Sequence, residues 1–256
     1  LLHAIRQGHE EAVDVLLDIN VDINQPSGDG TTPLLMAAIN GQFDLVPKLI
    51  ERGADPNIVS NAGTSPLFAV LERKWAPKAS YAHPIEHQQQ QATHLDVIRA
   101  LLEADADPNI RMNQHLWYTE YTFFVMSSGG IHYSGATPFW RATQALDLDA
   151  MHLLKEYGAK PDIPNIKRPK RRRPMDQTAD PEEPVKEEVD HSGLPPIPNG
   201  GPSLYPIHLA AGAGYGQYFV GTAHRHVPGN WLPAVKFLVE RSEERRVGKE
   251  CRSRWS

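Results

Sequence analysis

The sequence contains only one cysteine, Cys251, in 256 residues. A lone cysteine cannot form an internal disulfide or a cysteine-based zinc site. No run of about 18 apolar residues is present, so the sequence predicts no membrane-spanning helix. The formal net charge is −5, which excludes a broadly basic nucleic-acid-binding protein. We therefore do not expect a nucleic-acid partner.

Proline, in contrast, is abundant. The chain has 22 prolines and 19 glycines, and 40% of its residues are hydrophobic. The proline share is well above the usual value of about 5%. This composition predicts packed segments separated by long irregular ones.

The sequence repeats with a period of 33 residues. A helix-start motif recurs four times, with Thr, Ser or Tyr before a proline and a large apolar residue: Thr32-Pro33-Leu34, Ser65-Pro66-Leu67, Thr137-Pro138-Phe139 and Tyr205-Pro206-Ile207. A loop motif recurs with it: Gly53-Ala54-Asp55-Pro56-Asn57, Asp105-Ala106-Asp107-Pro108-Asn109 and Gly158-Ala159-Lys160-Pro161-Asp162. Each unit is too small to bury its own apolar face, so neighbouring units must stack.

Each part of the unit has a local physical reason. The hydroxyl of Thr32 can accept from orphan N–H groups at a helix start, and Pro33 fits the first helical position because that position needs no N–H. Gly41 can end the helix with a left-handed backbone. The apolar spacing of residues 45–50 then predicts a second helix.

These motifs resemble the ankyrin repeat. The resemblance implies a mainly α solenoid of helix-turn-helix units with β-hairpin loops, and a protein or peptide partner bound along the concave face. His208 stands at the family's own histidine position, where the other repeats carry Leu35, Phe68 and Trp140. This departure implies that apolar packing replaces much of the family's polar network there.

The period places five repeats and four insertions in one domain over residues 1–241. The repeats span about 1–27, 28–60, 61–112, 113–164 and 165–241; the insertions span about 72–92, 113–135, 165–203 and 214–230. Long insertions cost little, because the loop-closure free energy grows only with the logarithm of loop length.

The insertions carry the candidate partner-binding residues. Residues 113–135 are rich in aromatic and β-branched residues, which predicts an elongated β-hairpin, whereas residues 165–203 are rich in proline and mixed charge, which predicts a disordered loop. Aromatic residues are typical interface anchors. The alternative for these rings is packing against repeats three and four. The candidate contacts are Trp117, Tyr118 and Tyr121, with Trp140 at a first-helix surface position and Trp75 and Tyr81 in the inter-helix insertion.

The two ends of the sequence are unusual. The sequence starts at Leu1, inside a predicted helix, so we expect a fragment of a longer protein. Residues 241–256 resemble the translation of a common sequencing-adapter oligonucleotide. We therefore expect residues 242–256 to be an artefactual tail, the alternative being a genuine basic tail. No targeting signal is visible, and the compartment is left open.

The sequence offers little support for catalysis or metal binding. His83 and His87 share i, i+4 spacing near His94, and His224 and His226 form a second pair, but neither set has the context of a zinc site. No nucleophile–base or paired-carboxylate pattern stands out. We expect no enzyme activity and no cofactor.

The sequence therefore predicts a monomeric interaction scaffold whose partner is a protein or peptide. An alternative is a regulatory or anchoring segment of a larger enzyme or secreted factor.

Overall fold

The computed structural model describes residues 1–75, 86–114, 131–167, 197–213 and 226–241, without the side chains of residues 86, 87 and 241. Eleven helices lie in these ranges. Their bounds are α1 Leu2–Gln7, α2 Glu10–Asp18, α3 Pro33–Asn40, α4 Leu45–Glu51, α5 Pro66–Trp75, α6 Glu86–Gln89, α7 His94–Glu103, α8 Pro138–Gln144, α9 Leu148–Glu156, α10 Pro206–Ala210 and α11 Trp231–Arg241. None of these helices is long and apolar enough to cross a membrane.

The repeated helix-start motif caps the first helix of repeats two, three and four. The hydroxyl of Thr32 accepts from the backbone N–H of the third helical residue at 3.3 Å, and the hydroxyls of Ser65 and Thr137 do the same at 3.3 and 3.2 Å. The prolines Pro33, Pro66 and Pro138 each begin the helix that follows. These bonds satisfy donors that would otherwise lack a partner at a helix N-terminus.

The helices form two layers. The first helices of the repeats, α1, α3, α5, α8 and α10, lie side by side in chain order. The second helices, α2, α4, α7, α9 and α11, form the other layer, each packed against the first helix of its own repeat. This arrangement confirms the predicted mainly α solenoid.

A continuous apolar core runs between the layers, from Ile5 in α1 to Leu238 in α11. Leu67, from the repeated helix-start motif, is buried within it. A second cluster lies on the loop side of α5 and α8 and contains Phe68, Tyr133 and Trp140.

Asparagines at the repeated loop motif join neighbouring repeats. The side-chain oxygen of Asn57 accepts from the N–H of Asp107 at 2.7 Å, and its amide nitrogen donates to the carbonyl of Asp105 at 2.9 Å. Asn24 and Asn109 make the same pair of bonds to the loop of the following repeat. Each amide thereby fixes the spacing between two adjacent loops.

The expected hairpin loops occur as tight turns, and the described residues contain no strand. In the first loop, Ser27 N–H donates to the carbonyl of Thr31 at 2.9 Å, and Asn61 N–H of the next loop donates to Asp29 O at 2.9 Å. A single antiparallel bridge joins Ile166 and Pro202. Most of the elongated hairpin predicted over residues 113–135 lies outside the described ranges, which omit residues 115–130.

The predicted insertion bounds need correction where the structure describes them. Residues 72–75 belong to α5. The predicted disorder of residues 165–203 is wrong at both ends, because Asn165 pairs with Ser203 and Leu204, and Lys167 with Gly200 and Gly201. At the last insertion, Val227 N–H donates to Ala145 O at 2.9 Å. Backbone donors at these insertion ends are therefore satisfied by the other end of the same insertion or by the repeats.

Candidate interaction surface

The exposed face of α3 defines a groove along the first helices. Within α3, which is described in full, only Met36, Ile39 and Asn40 are not buried. Their i, i+3, i+4 spacing places them on one face of the helix. We call the surface formed by these positions and their equivalents in neighbouring first helices the inner groove.

The inner groove is open over the first two repeats. The equivalents in α1, 33 residues earlier, are His3, Arg6 and Gln7, and all three are exposed. Together with Met36 and Ile39 of α3 they give a surface that is basic on one repeat and apolar on the next.

The inner groove is closed over repeats three and four. The equivalent positions in α5 and α8 include Glu72, Arg141 and Gln144, which are all buried. The Glu72 carboxylate accepts a hydrogen bond from Nε of Arg141, and the guanidinium lies 5.8 Å from the centre of the Tyr133 ring. This part of the groove is thus occupied by an internal ion pair.

The ion pair was not identified from the sequence, although a signal existed. Thr32 and Thr137 are the repeated caps, and the spacing between them places Arg141 at the position of Met36. Glu72 likewise falls at the position of Ile39. Opposite charges at two groove positions of successive repeats are the pattern that would have predicted the pair.

The prediction that Trp140 lies at a surface position is wrong. Its side chain is 0% exposed. Its indole N–H donates to the carbonyl of Leu204 at 2.8 Å, and its ring meets the Tyr133 ring edge-to-face at 6.1 Å. Trp140 occupies the family's histidine position, which here faces the entry to the last repeat, so a large ring is buried there.

Trp75 is half-buried at the end of α5 and is fixed by polar contacts. Its indole N–H donates to Oδ2 of Asp147 at 2.8 Å, and its ring meets the His94 ring edge-to-face at 6.2 Å. Nζ of Lys74 lies 5.7 Å from the ring centre. These contacts hold the end of α5 against the starts of α7 and α9.

Asp147 is the acceptor at this junction. Its carboxylate also accepts from Nε2 of His94 at 2.8 Å and from the N–H of Ala150 at 3.1 Å, which caps α9. Burial raises the pKa of Asp147, but the hydrogen bond and charge of His94, with the Ala150 and Trp75 donors, outweigh it. The net result is a pKa below the ordinary aspartate value.

In the insertion at residues 113–135, which we call the aromatic insertion, the structure describes one aromatic residue, Tyr133. Its side chain packs internally. It is buried and lies edge-to-face against Phe68 at 5.5 Å. Four of the remaining candidates fall outside the described ranges: Trp117, Tyr118, Tyr121 and Tyr81. Among the described residues no group of three or more potential ligands could hold a metal ion, and the His83 and His87 side chains lie outside this set.

His208, at the family's histidine position, makes a local contact. Its Nδ1 accepts from the backbone N–H of Tyr205 at 3.3 Å, at the start of α10. The rings of these two residues meet edge-to-face at 5.7 Å. His208 therefore completes the cap of its own helix.

Comparison with known proteins agrees with this architecture. Residues 1–73 match the family model for ankyrin repeats in three copies. The chain contains ankyrin repeats. Ankyrin repeats are generally protein–protein interaction modules and are typically not catalytic. The match spans the first two repeats and α5, and so includes the whole open part of the inner groove.

Curated relatives share short stretches with this chain. Rat ankyrin repeat and SAM domain-containing protein 6 is 40% identical over 58 residues, which is 22% of this chain and 7% of that protein. The Caenorhabditis elegans ankyrin repeat and KH domain-containing protein mask-1 is 29% identical over 101 residues, 40% of this chain and 4% of that protein. Human transient receptor potential cation channel subfamily A member 1 is 29% identical over 70 residues, 27% of this chain and 6% of the channel. The chain therefore spans less than a tenth of each of these relatives.

Proposed function

We propose that this protein is an interaction scaffold that binds a peptide segment in the open part of the inner groove. The observation that carries the proposal is the contrast along one surface. The same helix positions are exposed or half-buried in α1 and α3 and, apart from the half-buried Arg73, are buried in α5 and α8. A rigid stack with one open stretch presents a preorganised surface, so little ordering entropy is lost on binding.

The open groove favours a partner with acidic and apolar side chains. Arg6 lies exposed in the last turn of α1, and His3 lies on the same face. The half-exposed side chains of Met36 and Ile39 offer apolar contact one repeat further on. An extended segment that crosses from α1 to α3 would place an acidic side chain at Arg6 and an apolar one at Ile39.

A displayed peptide library selected on the full chain tests this proposal. We expect the recovered peptides to combine acidic and apolar residues and to bind with 1:1 stoichiometry in calorimetry. The variants Arg6→Glu and Ile39→Asp should each weaken binding by about tenfold or more, as expected for contacts worth at least about 1.4 kcal/mol.

Arg99→Glu provides the matched control. Arg99 is exposed on α7, in the other helix layer, and the change has the same charge difference as Arg6→Glu. Its affinity should equal that of the unmodified chain. Equal losses for Arg6→Glu and Arg99→Glu would instead mean that net charge governs binding, and the groove proposal would fail.

The aromatic insertion remains part of the proposal. Trp117, Tyr118 and Tyr121 would extend the contact from the loop side, with Tyr81 as a further candidate at the opposite edge. Replacing Trp117 and Tyr121 by Ala should weaken the binding of a peptide whose affinity also depends on Arg6. An unchanged affinity would show that the aromatic insertion is not part of the binding surface and would leave the inner groove as the only contact.

A second candidate is a regulatory or anchoring segment of a larger enzyme or secreted factor. It is favoured by the small share of the relatives that the chain spans and by the SAM and KH domains in their names. The intact transcript tests it directly. A coding sequence that adds a catalytic or secreted domain would support this candidate, and one that adds only further repeats would contradict it.

A further inference from the structure

The inner groove contains a methionine, Met36, whose sulfur chemistry the proposed function does not use. Met36 is half-buried in α3 and packs against the edge of the main core. The two other methionines that the structure describes, Met112 and Met151, are 2% and 0% exposed. An oxidant from solvent must reach the sulfur of a methionine in order to react with it, so oxidation follows exposure. Within the described ranges, Met36 is therefore the methionine that such an oxidant can reach.

The sulfur of Met36 has a polar neighbour one helical turn later. Nδ2 of Asn40 lies 3.1 Å from Sδ of Met36 and 2.9 Å from the carbonyl oxygen of the same residue. An asparagine amide nitrogen carries two hydrogens, so it can donate to both acceptors. The bond to the carbonyl holds the amide beside the thioether. A thioether sulfur is only a weak acceptor, so this donor would gain from a stronger acceptor at the same place.

We propose that Met36 is an oxidation site, and that conversion of its thioether to the sulfoxide changes the apolar half of the inner groove into a polar surface. The oxidant is a peroxide. The sulfur attacks one peroxide oxygen, so an S–O bond forms while the O–O bond breaks. The proton of the transferred hydroxyl passes to the departing oxygen, which leaves as water. The sulfur is oxidised by two electrons, and the peroxide is reduced by two.

The modification is reversible, as a regulatory modification must be. A sulfoxide reductase that uses two thiols removes the oxygen as water, while the thiols become a disulfide. The thioether of Met36 is thereby restored without any change to the backbone.

Asn40 makes the oxidised form compatible with the fold. A sulfoxide oxygen is a stronger acceptor than a thioether sulfur, and the Asn40 amide already lies within hydrogen-bond distance of the sulfur. The new oxygen therefore has a donor at hand, and the half-buried position leaves its other side to water. Asn40 acts as a positioning residue for the sulfoxide. Oxidation thus changes the groove surface and leaves the helix intact.

The effect is confined to one place along the groove. The same position is occupied by the exposed His3 in α1 and by the buried Ala69 in α5, and neither carries a thioether. An apolar partner side chain that packs on Met36 and Ile39 would cover the sulfoxide oxygen and remove its water. Such desolvation of a polar group opposes binding. This inference rests on the proposed function, because it assigns regulation to the same groove.

Peptide mass spectrometry after brief exposure of the full chain to dilute hydrogen peroxide tests the modification itself. Met36 should be oxidised at least about tenfold faster than Met112 and Met151, because oxidation follows exposure of the sulfur. This measurement needs no binding partner. Oxidation of Met36 at the rate of the two buried methionines would overturn the proposal.

Calorimetry tests the effect on the groove. The probe is a peptide recovered from the displayed library that contains no methionine, cysteine or tryptophan, and the peroxide is removed before titration. Oxidation should weaken binding about fivefold or more, which is the scale for covering one unsatisfied polar group, and reductase treatment should restore the affinity.

Met36→Leu is the matched control, because leucine replaces methionine at similar volume and has no sulfur. It should bind the peptide like the unmodified chain and should keep that affinity after peroxide treatment. Oxidation at any other residue affects both chains, so a loss in Met36→Leu as large as in the unmodified chain would overturn the proposal.

Asn40→Ala tests the positioning role by thermal denaturation. Oxidation should lower the melting temperature more in this variant than in the unmodified chain, since the sulfoxide oxygen then lacks its donor. The bond from Asn40 to the Met36 carbonyl is lost in both oxidation states of the variant and cancels in the comparison. Equal shifts in the two chains would exclude Asn40 as the donor.

The failure of this inference differs from the failure of the proposed function. A reduced chain that binds no peptide through Arg6 and Ile39 contradicts the groove function, and the regulatory role fails with it. A reduced chain that binds such a peptide, and binds it equally well once Met36 is oxidised, contradicts only the present inference.

Discussion

At the residue scale, three non-glycine residues adopt a left-handed backbone at the loops of the repeats. Within the described ranges these are Asn20, Asp105 and Leu146, with φ of 58°, 62° and 53°. Asn20 and Asp105 stand at the position of Gly53, whose φ is 94°. A left-handed backbone costs an L-residue about 1–2 kcal/mol, less for Asn and Asp, whose side chains bond locally. Stacking of the repeats therefore imposes a strained conformation that glycine would accept.

Asp105→Gly should raise the free energy of unfolding by about 0.5 kcal/mol, because relief of strain exceeds the added flexibility of glycine in the unfolded chain. Urea denaturation followed by circular dichroism measures it. Asp105 is exposed, and its carbonyl bond to Asn57 is retained. Arg99→Gly, at an exposed position inside α7, should instead cost about 1 kcal/mol. Destabilisation by both changes to a similar degree would disprove the strain.

At the element scale, the buried ion pair and the Asp147 junction join helices of different repeats. Glu72 and Arg141 connect α5 to α8. Asp147 connects the end of α5, through Trp75, to the starts of α7 and α9. Both contacts lie where a long insertion separates the two helices of repeat three. Polar links replace the short connection that would otherwise fix these helices.

Arg141→Met should destabilise the protein by about 3–5 kcal/mol, because it leaves the Glu72 carboxylate buried without its partner. The double variant Glu72→Leu/Arg141→Met should recover most of that loss, since apolar residues of similar volume often replace a buried pair at little cost. The four free energies of unfolding form a double-mutant cycle. A double variant as unstable as Arg141→Met would show that the arginine acts through other contacts.

Asp147 should make stability depend on pH. Its pKa is lowered in the folded state, so its stabilisation is fully present above the aspartate pKa of the unfolded chain, about 4, and is lost as pH falls through the folded value. Unfolding free energies measured from neutral to acidic pH should therefore fall on acidification. Asp147→Asn should flatten this dependence relative to Asp149→Asn, the control two residues later. Equal profiles for the two variants would exclude Asp147 as the source.

At the scale of the whole molecule, the stack tolerates insertions because their ends are tied to each other or to the repeats. Within the insertion at residues 165–203, Lys167 donates from its backbone to Gly201 at 2.9 Å and from Nζ to Ile197 at 2.7 Å, which joins the two ends of the insertion. The far end of the first insertion is held by Asp44, whose carboxylate accepts from the N–H groups of Gln91 and Ala92 at 3.0 and 2.7 Å. Closing a longer loop between such fixed ends adds little free-energy cost.

Deleting residues 170–190 should leave the melting temperature nearly unchanged, because the contacts at Lys167 and Gly201 lie outside the deletion and the loop-closure free energy changes only logarithmically. Differential scanning calorimetry measures it. As a control, Asn165→Ala removes the amide that bonds to His132 and Leu204 at this junction and should lower the melting temperature. A large drop for the deletion would mean that the segment packs on the repeats.

The sequence alone determined the repeat unit, because its signals are local. Thr32 and Pro33 favour the start of a helix, and Gly41 favours its end. Because the unit repeats every 33 residues, successive units bury their apolar stripes by stacking on each other. Tertiary structure decided which surfaces stay open. Burial of Trp140 and of the Glu72–Arg141 pair depends on side chains from other repeats and on insertion ends that come close only after the helices have stacked. Because those neighbours are far apart in the chain, the pattern of residues within one repeat does not predict these contacts.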